Sequence, residues 1–276
     1  MSSAAVQTAR EKPPSRAHRT YFSVAITCIS RYMIVRDQVF RLSKSGRRPA
    51  GIHEFSARQT IPSAASQLDA RYVHPASGSA RAAVLLCHGI GETIEQWFGV
   101  QQLLASKGVA SLVFDYTGYG RSKGRPDWDQ FEQDATAAFA ALEQLSPGLP
   151  ISLLGFSLGS GVAVATINHI PAHRLVLCEA FTSFRHAATA AWIPKPLTKL
   201  VPPIWHAEQA LAQCKLPVLI VHGERDRLFP FRMARDLAAF CSPAAEVILV
   251  PNTSHNQPFR KPHLDYWGPI IDWISR

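Results

Sequence analysis

The stretch Leu153-Leu154-Gly155-Phe156-Ser157-Leu158-Gly159-Ser160-Gly161 decides the fold of this chain. An apolar run from Ile151 to Leu154 enters it, and a small-residue run from Gly159 to Ala165 leaves it. This order predicts a buried strand, a tight turn and a helix packed close to a sheet. The pattern Gly-x-Ser-x-Gly puts Ser157 in the middle of the turn, where we expect a strained backbone and an Oγ that points out of the protein.

The two glycines beside Ser157 have a steric reason in such a turn. A Cβ at Gly155 or Gly159 would clash with the neighbouring strand or helix. The helix that follows aims its N-terminal N–H groups at the same spot, where a developing oxyanion can be held. The stretch therefore predicts a nucleophile and half of an oxyanion hole. The alternative interpretation is a Gly- and Ser-rich strand–helix turn without chemistry.

Short apolar runs alternate with helix-like segments on both sides of this turn. Strands are predicted over Ala82–Cys87, Val109–Phe114, Pro150–Leu154, Arg174–Cys178, Pro217–Val221 and Glu246–Val250. Helices are predicted over Thr93–Ser106, Trp128–Leu145, Leu158–Ile170, Phe231–Phe240 and His263–Ile274. This alternation is typical of an α/β fold with a mostly parallel sheet covered by helices on both faces. Two earlier pieces, Ser56–Ile61 and Gln67–Val73, are expected to form an antiparallel edge.

Sites in an open parallel sheet form outside the carboxyl ends of its strands. After the strand that ends at Cys87 comes His88-Gly89-Ile90-Gly91. Its glycines let the backbone fold close to a neighbouring loop, so the N–H of Ile90 can reach the oxyanion position beside the N–H of Leu158. We interpret His88 as hydrogen-bonded scaffolding.

Two later strand ends carry an acid and a histidine. Asp226 follows the strand that ends near Val221, where it can accept a hydrogen bond from a histidine Nδ1–H; Glu224 is the alternative acid. A surface carboxylate paired with a neighbouring arginine is the other interpretation of Asp226. His255 follows the last strand, from which it can reach Ser157 as a general base.

The order Ser157, Asp226, His255 is that of the α/β-hydrolase fold. From about residue 56 to the C-terminus the chain resembles that superfamily, in its subgroup of serine-aminopeptidase-like and acyl-protein-thioesterase-like hydrolases with short lids. The resemblance rests on Gly-Phe-Ser-Leu-Gly, His-Gly-Ile-Gly, Asp-Tyr-Thr-Gly-Tyr-Gly-Arg-Ser and His-Gly-Glu-Arg-Asp. It implies Ser157 as nucleophile, His255 as base, Asp226 as the residue that orients His255, and the N–H groups of Ile90 and Leu158 as oxyanion hole.

The implied reaction is hydrolysis of a carboxylic ester or thioester through an acyl-enzyme. A serine peptidase or acyltransferase with the same residues is one alternative, and a non-catalytic hydrolase-like scaffold is another. The segment 180–216 is long enough for a short flap, not for a lid domain. Its aromatic residues Phe181, Trp192 and Trp205 are candidates for an acyl-site lining, or else ordinary packing between helices.

The net charge of +9 is concentrated near the start of the chain. Residues 1–60 hold 11 Lys or Arg and 3 Asp or Glu, a net charge of +8. We therefore divide the chain into a basic N-terminal extension, 1–50, partly flexible or helical, and a catalytic domain, 51–276. The extension is interpreted as an arm that contacts anionic membrane, as a solvated tail or as a transit peptide.

Composition limits the compartment and the cofactors. The five cysteines include no CxxC pair, which predicts neither a disulfide framework nor a zinc site and favours a reducing compartment. No apolar stretch reaches the ~20 residues that span a bilayer, and no secretory signal is expected. We expect a cytoplasmic protein that acts on a small-molecule or acylated substrate, with no cofactor, no metal and no nucleic-acid partner.

Overall fold

The fold is described from a computed structural model, which covers residues 54–64, 66–76, 78–190 and 204–276. The predicted extension 1–50 lies outside the described residues, and so does Trp192 of the predicted flap.

One sheet of eight strands forms the centre of the described part. The strands are β1 (Glu54–Ser63), β2 (Ser66–Pro75), β3 (Ala82–Cys87), β4 (Val109–Phe114), β5 (Ile151–Phe156), β6 (Arg174–Cys178), β7 (Val218–Gly223) and β8 (Glu246–Val250). Their order across the sheet is β1-β2-β4-β3-β5-β6-β7-β8. The pairs β1–β2 and β2–β4 are antiparallel and every other pair is parallel, so the predicted antiparallel edge and parallel centre are confirmed.

Helices connect the parallel strands. They are α1 (Phe98–Ser106), α2 (Trp128–Leu145), α3 (Leu158–Thr166), α4 (Phe184–Ala190), α5 (Ala207–Gln213), α6 (Arg232–Ala239), α7 (Gln257–Arg260) and α8 (Leu264–Ile274). The helix predicted from Thr93 begins only at Phe98, because the backbone N–H of Trp97 bonds the carbonyl of Ile94 in a turn. The helix predicted to reach Ile170 ends at Thr166 and continues as one 3₁₀ turn.

The central strands are buried on both faces, as continuous apolar runs require in a parallel sheet. Because side chains alternate along a strand, Leu153 of β5 faces one hydrophobic cluster and Leu154 faces the other. The first cluster includes residues of α2, α3, α5 and α6, and the second includes residues of α1, α7 and α8. The predicted α/β architecture with helices on both faces is therefore confirmed.

None of the helices in the described ranges has the length and hydropathy needed to cross a membrane. The cysteines described here are free, and Cys87 and Cys178 are fully buried in the sheet. Burial raises the pKa of the Cys87 thiol to about 12, which keeps it protonated and unreactive.

Candidate active site

Ser157 occupies a strained turn between β5 and α3. Its backbone has φ 52° and ψ −118°, a conformation that residues with a Cβ rarely adopt. Its N–H donates to the carbonyl of Cys178, at 3.0 Å, which ties the turn to the end of β6. Such strain persists only where the surroundings fix it, and it is concentrated at functional positions.

The glycines beside Ser157 allow close approaches of the backbone. A Cβ on Gly155 would collide with the backbone of Gly159 and Ser160 at the start of α3. A Cβ on Gly159 would collide with the carbonyl groups of Cys87 and His88 at the end of β3. The steric reason predicted for both glycines is therefore observed. The second contact also brings the loop after β3 against the N-terminus of α3.

Ser157, His255 and Asp226 form one chain of hydrogen bonds. The Oγ of Ser157 lies 3.0 Å from Nε2 of His255, and Nδ1 of the same ring lies 2.7 Å from Oδ2 of Asp226. Ser157 as a whole residue is only 4% exposed, so its hydroxyl does not project freely into solvent. Its hydroxyl instead faces the His255 ring, whose other neighbours are Phe156 and Phe229.

The carboxylate of Asp226 is held from several sides. Its Oδ1 accepts the backbone N–H groups of Leu228, at 2.7 Å, and Phe229, at 2.9 Å. Burial opposes ionisation of Asp226, but hydrogen bonds from His222 and His255 outweigh it and hold the pKa of Asp226 below its usual value. Asp226 is therefore an ionised acceptor for the imidazole N–H.

Glu224, the alternative acid, has a different place. It is exposed, and its Oε2 accepts the backbone N–H of Asn252 at 2.9 Å. The N–H of Arg225 donates to the carbonyl of Thr253 at 2.8 Å. These bonds tie the loop that carries Asp226 to the loop that carries His255, so Glu224 supports the loops and does not contact the imidazole.

The two predicted oxyanion donors lie on adjacent elements. Leu158 is the first residue of α3, so its N–H is one of those that a helix leaves without an internal acceptor. Ile90 lies in the loop after β3 that packs against α3 through Gly159. The two N–H groups thus belong to α3 and to the loop after β3, which meet at Gly159.

The loop of Ile90 is fixed by residues around it. The carboxylate Oε2 of Glu92 accepts the backbone N–H of Gly89 and the indole N–H of Trp97, both at 2.8 Å. His88 is fully buried, and its carbonyl accepts the hydroxyl of Tyr116 at 3.0 Å. The interpretation of His88 as scaffolding agrees with these contacts.

A buried carboxyl group that was not predicted from the sequence, that of Glu179, lies near Asp226. Glu179 follows β6 directly, has φ 46° and is fully buried. Its Oε1 accepts the N–H of Gly223, at 2.8 Å, and the hydroxyl of Tyr266, at 3.1 Å. Burial and the nearby Asp226 raise the pKa of Glu179 to about 10. An acidic residue directly after an apolar strand was the signal that could have found it.

Glu179, His222 and Asp226 have ligand atoms within 4.8 Å of one another, which is a spacing compatible with a metal ion. The donor set fits one poorly. The Nε2 of His222 lies 2.7 Å from the carbonyl of Phe229 and therefore carries the proton, and Oδ1 of Asp226 already accepts two N–H groups. We interpret the group as a buried acid network.

The predicted lining residues Phe181 and Trp205 are both buried. They belong to a row of aromatic rings that begins beside His255 and runs through Phe229, Phe181, Phe184 and Trp205, with neighbouring centroids 5.0–6.3 Å apart. A Cβ on Gly161 of α3 would meet the rings of Trp205 and Phe181. The row therefore packs on α3, and its first ring contacts the imidazole.

Comparison with known proteins gives the family. Residues 78–207 match the family described as serine aminopeptidase, S33. That stretch includes the turn of Ser157 and ends before the loops of Asp226 and His255. An uncharacterized protein of Mycobacterium tuberculosis is 31% identical over 189 residues, which are 68% of this chain and 67% of that protein.

More distant relatives have named activities. The lysophosphatidylserine lipase ABHD12 of Mus musculus is 27% identical over 209 residues, which are 67% of this chain and 52% of that protein. The match thus spans about half the length of that relative.

Solved structures share the architecture. The Pyrococcus furiosus esterase Pf2001 superimposes with a TM-score of 0.65 at 18% identity, covering 83% of this chain and 99% of that one. The esterase domain of a Rhodothermus marinus protein gives a TM-score of 0.62 at 18% identity, covering 80% of this chain and 99% of that one. At this identity the likeness shows the fold.

Proposed function

Because the chain belongs to the α/β-hydrolase superfamily, we propose that it is a serine hydrolase that cleaves carboxylic esters or thioesters. The observation that carries the proposal is the hydrogen-bonded chain from Ser157 through His255 to Asp226. Its nucleophile stands at a strained turn and its base is fixed by an ionised, buried carboxylate.

In the acylation step, the Oγ of Ser157 attacks the carbonyl carbon while its proton moves to Nε2 of His255. Asp226 accepts the Nδ1–H and stabilises the imidazolium that forms. The N–H groups of Ile90 and Leu158 hold the negative charge on the carbonyl oxygen. The bond from the carbonyl carbon to the leaving group then breaks, and His255 returns the proton to the departing alkoxide or thiolate.

Deacylation repeats the same steps with water. His255 takes a proton from the water, whose oxygen attacks the acyl carbon, and then returns a proton to Oγ as the acid departs. The free enzyme is restored with Ser157 protonated. The ester or thioester and one water molecule balance the two steps.

The apolar surroundings of the imidazole support a substrate with a hydrophobic acyl group. Phe229 packs against His255 at a centroid distance of 5.1 Å, and Phe181 packs on Phe229 at 5.5 Å. A lysophospholipid is a fitting ester to test beside simple acyl esters, since the ABHD12 relatives are described as lysophosphatidylserine lipases.

A serine peptidase is the second candidate, because the matched family is described as a serine aminopeptidase. The same acyl-enzyme serves an amide, provided that His255 protonates the departing amine. Parallel assays with matched acyl esters, thioesters and aminoacyl amides separate the two reactions. Addition of alcohol or amine acceptors tests for acyl transfer.

The deciding experiment measures ester turnover and labelling by a fluorophosphonate probe in the wild type and in Ser157→Ala. We expect turnover to fall by about 10⁴- to 10⁶-fold and labelling to disappear. Ser106→Ala is the matched control, because this serine lies on the surface at the end of α1. Unchanged turnover in Ser157→Ala would reject Ser157 as the nucleophile. A folded wild type that neither labels nor hydrolyses would reject the proposal and favour the non-catalytic scaffold.

A further inference from the structure

Glu179 and Asp226 are two buried carboxyl groups at one end of the sheet. An oxygen of each lies within 4.8 Å of an oxygen of the other, Glu179 is fully buried and Asp226 is 8% exposed. Two carboxylates this close in a low-dielectric site repel strongly, so both do not ionise together. The hydrogen bonds around each group indicate which one keeps a proton.

Asp226 is surrounded by donors. Its Oδ1 accepts two backbone N–H groups, and its Oδ2 accepts Nδ1–H of His255, with Nε2 of His222 3.4 Å away. Three hydrogen-bond donors, with the imidazole of His222 nearby, favour the charged form. Asp226 is therefore the ionised member of the pair.

Glu179 has donors on one oxygen only. Oε1 accepts the N–H of Gly223 and the hydroxyl of Tyr266, whereas within the described ranges no donor bonds to the buried Oε2. The nearest proton on His222 lies on Nε2, 3.7 Å from Oε2 and already given to the carbonyl of Phe229 at 2.7 Å. If Oε2 carries a proton, it becomes an O–H donor, and the nearby carboxylate of Asp226 can accept its hydrogen bond.

We infer that Glu179 is a positioning residue that stays protonated and donates a hydrogen bond from Oε2 to the carboxylate of Asp226. The inference rests on the proposed function, in which Asp226 orients His255. The carboxyl pair then carries a single negative charge, which lies on the atom that faces the imidazole. Glu179 thus adds a hydrogen bond to Asp226 without adding a second negative charge, which would raise the proton affinity of His255.

The thiol of Cys178 and the hydroxyl of Tyr266 face Glu179 and supply no charge near neutral pH. Cys178 precedes it on β6, and Tyr266 approaches from α8. Burial raises the pKa values of both the Cys178 thiol and the Tyr266 hydroxyl, so both remain neutral. From β7 and its loop come the carboxylate of Asp226 and the imidazole of His222, whose Nε2–H donates to the carbonyl of Phe229 at 2.7 Å.

Two substitutions at Glu179 test whether its carboxyl group is protonated or ionised. Glu179→Gln keeps an acceptor for Gly223 and Tyr266 and replaces the O–H donor by an N–H, so turnover near pH 7 is expected within about threefold of wild type. Glu179→Leu removes donor and acceptor, and turnover is expected to fall by about 10- to 100-fold. A Glu179→Gln variant as impaired as Glu179→Leu, or a folded Leu variant with full activity, would overturn the inference.

The pH dependence of the melting temperature tests the protonation of Glu179 without a measurement of turnover. A carboxyl whose pKa is raised on folding must stay protonated above its unfolded pKa of about 4.3, and this costs stability as pH rises. The amide has no such cost. The difference in melting temperature, Glu179→Gln minus wild type, is therefore expected to increase from about pH 5 to about pH 9. A constant or falling difference contradicts the inference.

An infrared measurement reports the proton itself. The wild type at neutral pH should show a carboxylic-acid C=O band that is missing in Glu179→Gln and unchanged in Glu143→Gln, the matched exposed control on α2. A spectrum without that band overturns the inference. Because neither the band nor the melting difference needs catalysis, a failure here differs from a failure of the proposed function, which shows as turnover that survives Ser157→Ala.

Discussion

Gly159 of α3 lies so close to the carbonyl oxygen of Cys87 that no Cβ fits between them. This contact joins the helix that begins with Leu158 to the loop that carries Ile90. The relative position of the two proposed oxyanion donors therefore depends on the absence of a Cβ at residue 159. Ser157 directly precedes the same helix, so the contact also affects the distance between the nucleophile and the donors.

Gly159→Ala should damage turnover more than it damages folding. The added methyl must push the loop after β3 away from α3, which moves the N–H of Ile90 relative to that of Leu158. Loss of one oxyanion donor costs about 10²- to 10³-fold in kcat, and a loss in that range is expected with KM little changed. Steady-state kinetics beside a melting curve make the comparison.

Gly268→Ala is the matched control for this substitution. Gly268 lies in α8, where nothing approaches within 4 Å of the position of an added Cβ. Gly268 directly precedes Pro269, where a residue with a Cβ is disfavoured in a helix, so this variant should keep full activity with a melting temperature at or slightly below that of the wild type. If Gly159→Ala were as active as Gly268→Ala, the loop contact would have no part in catalysis.

Asp226→Asn tests whether the ionised carboxylate orients His255. The amide either presents its N–H₂ to the ring or leaves the imidazole in the wrong tautomer, so kcat is expected to fall by about 10⁴-fold. Glu224→Gln is the control, because Glu224 is exposed and bonds only the backbone of Asn252 among the contacts described for it. Equal losses in both variants would mean that the loop, not the Asp226 charge, matters.

Asp226 also gives stability a defined pH dependence. Its pKa is lower in the folded protein than its usual value of about 3.9, so the ionised form stabilises the fold above that pH and this contribution is lost as pH falls below it. Acid unfolding monitored by circular dichroism should show a smaller pH dependence in Asp226→Asn below about pH 4 than in wild type. Identical acid transitions would show that Asp226 does not titrate abnormally.

The sequence predicted the parts of this site that follow from strand ends. Ser157, Asp226 and His255 each follow an apolar run, and parallel strands bring their carboxyl ends to one edge of the sheet. Glu179 obeys the same rule. Glu179 was not predicted because its proposed role depends on an oxygen of Asp226 that lies within 4.8 Å of its own carboxyl oxygen. The two residues follow neighbouring strands, and no local sequence pattern encodes a contact between strands.

Two other details depended on tertiary contacts. The segment from Thr93 to Trp97 has helix-like composition, but the indole N–H of Trp97 bonds Glu92 and its backbone forms a turn, so the helix starts later. The burial of Ser157 depends on the His255 loop, which folds over the turn from nearly a hundred residues away in sequence. Local patterns predict the strained turn and not what covers it.

The aromatic row offers a test of acyl-chain selection. Phe181 packs on Phe229, which contacts His255, so a smaller side chain at 181 should enlarge the space next to the imidazole. In Phe181→Leu, kcat/KM for long acyl esters relative to short ones is expected to rise by about three- to tenfold. Phe139→Leu, at an equally buried ring of α2, controls for general loss of packing. A ratio unchanged in Phe181→Leu would assign the row to packing alone.

Substitution of Glu92 tests the role of the loop that carries Ile90, because the carboxyl group of Glu92 holds this loop by hydrogen bonds. Its Oε2 accepts the N–H of Gly89 and the indole N–H of Trp97, both at 2.8 Å, and burial raises the pKa of Glu92 despite these donors. Glu92→Gln retains an acceptor oxygen and carries no charge to bury, so kcat is expected to stay within a few-fold of wild type.

Glu92→Ala leaves both donors without their acceptor and frees the loop. A fall in kcat of about 10- to 100-fold, with KM nearly constant, is expected, because an oxyanion donor acts mainly in the transition state. A rise in KM with unchanged kcat would instead mean that the loop binds the substrate in its ground state. In that case the N–H of Ile90 would not be the second oxyanion donor, and Leu158 would need another partner.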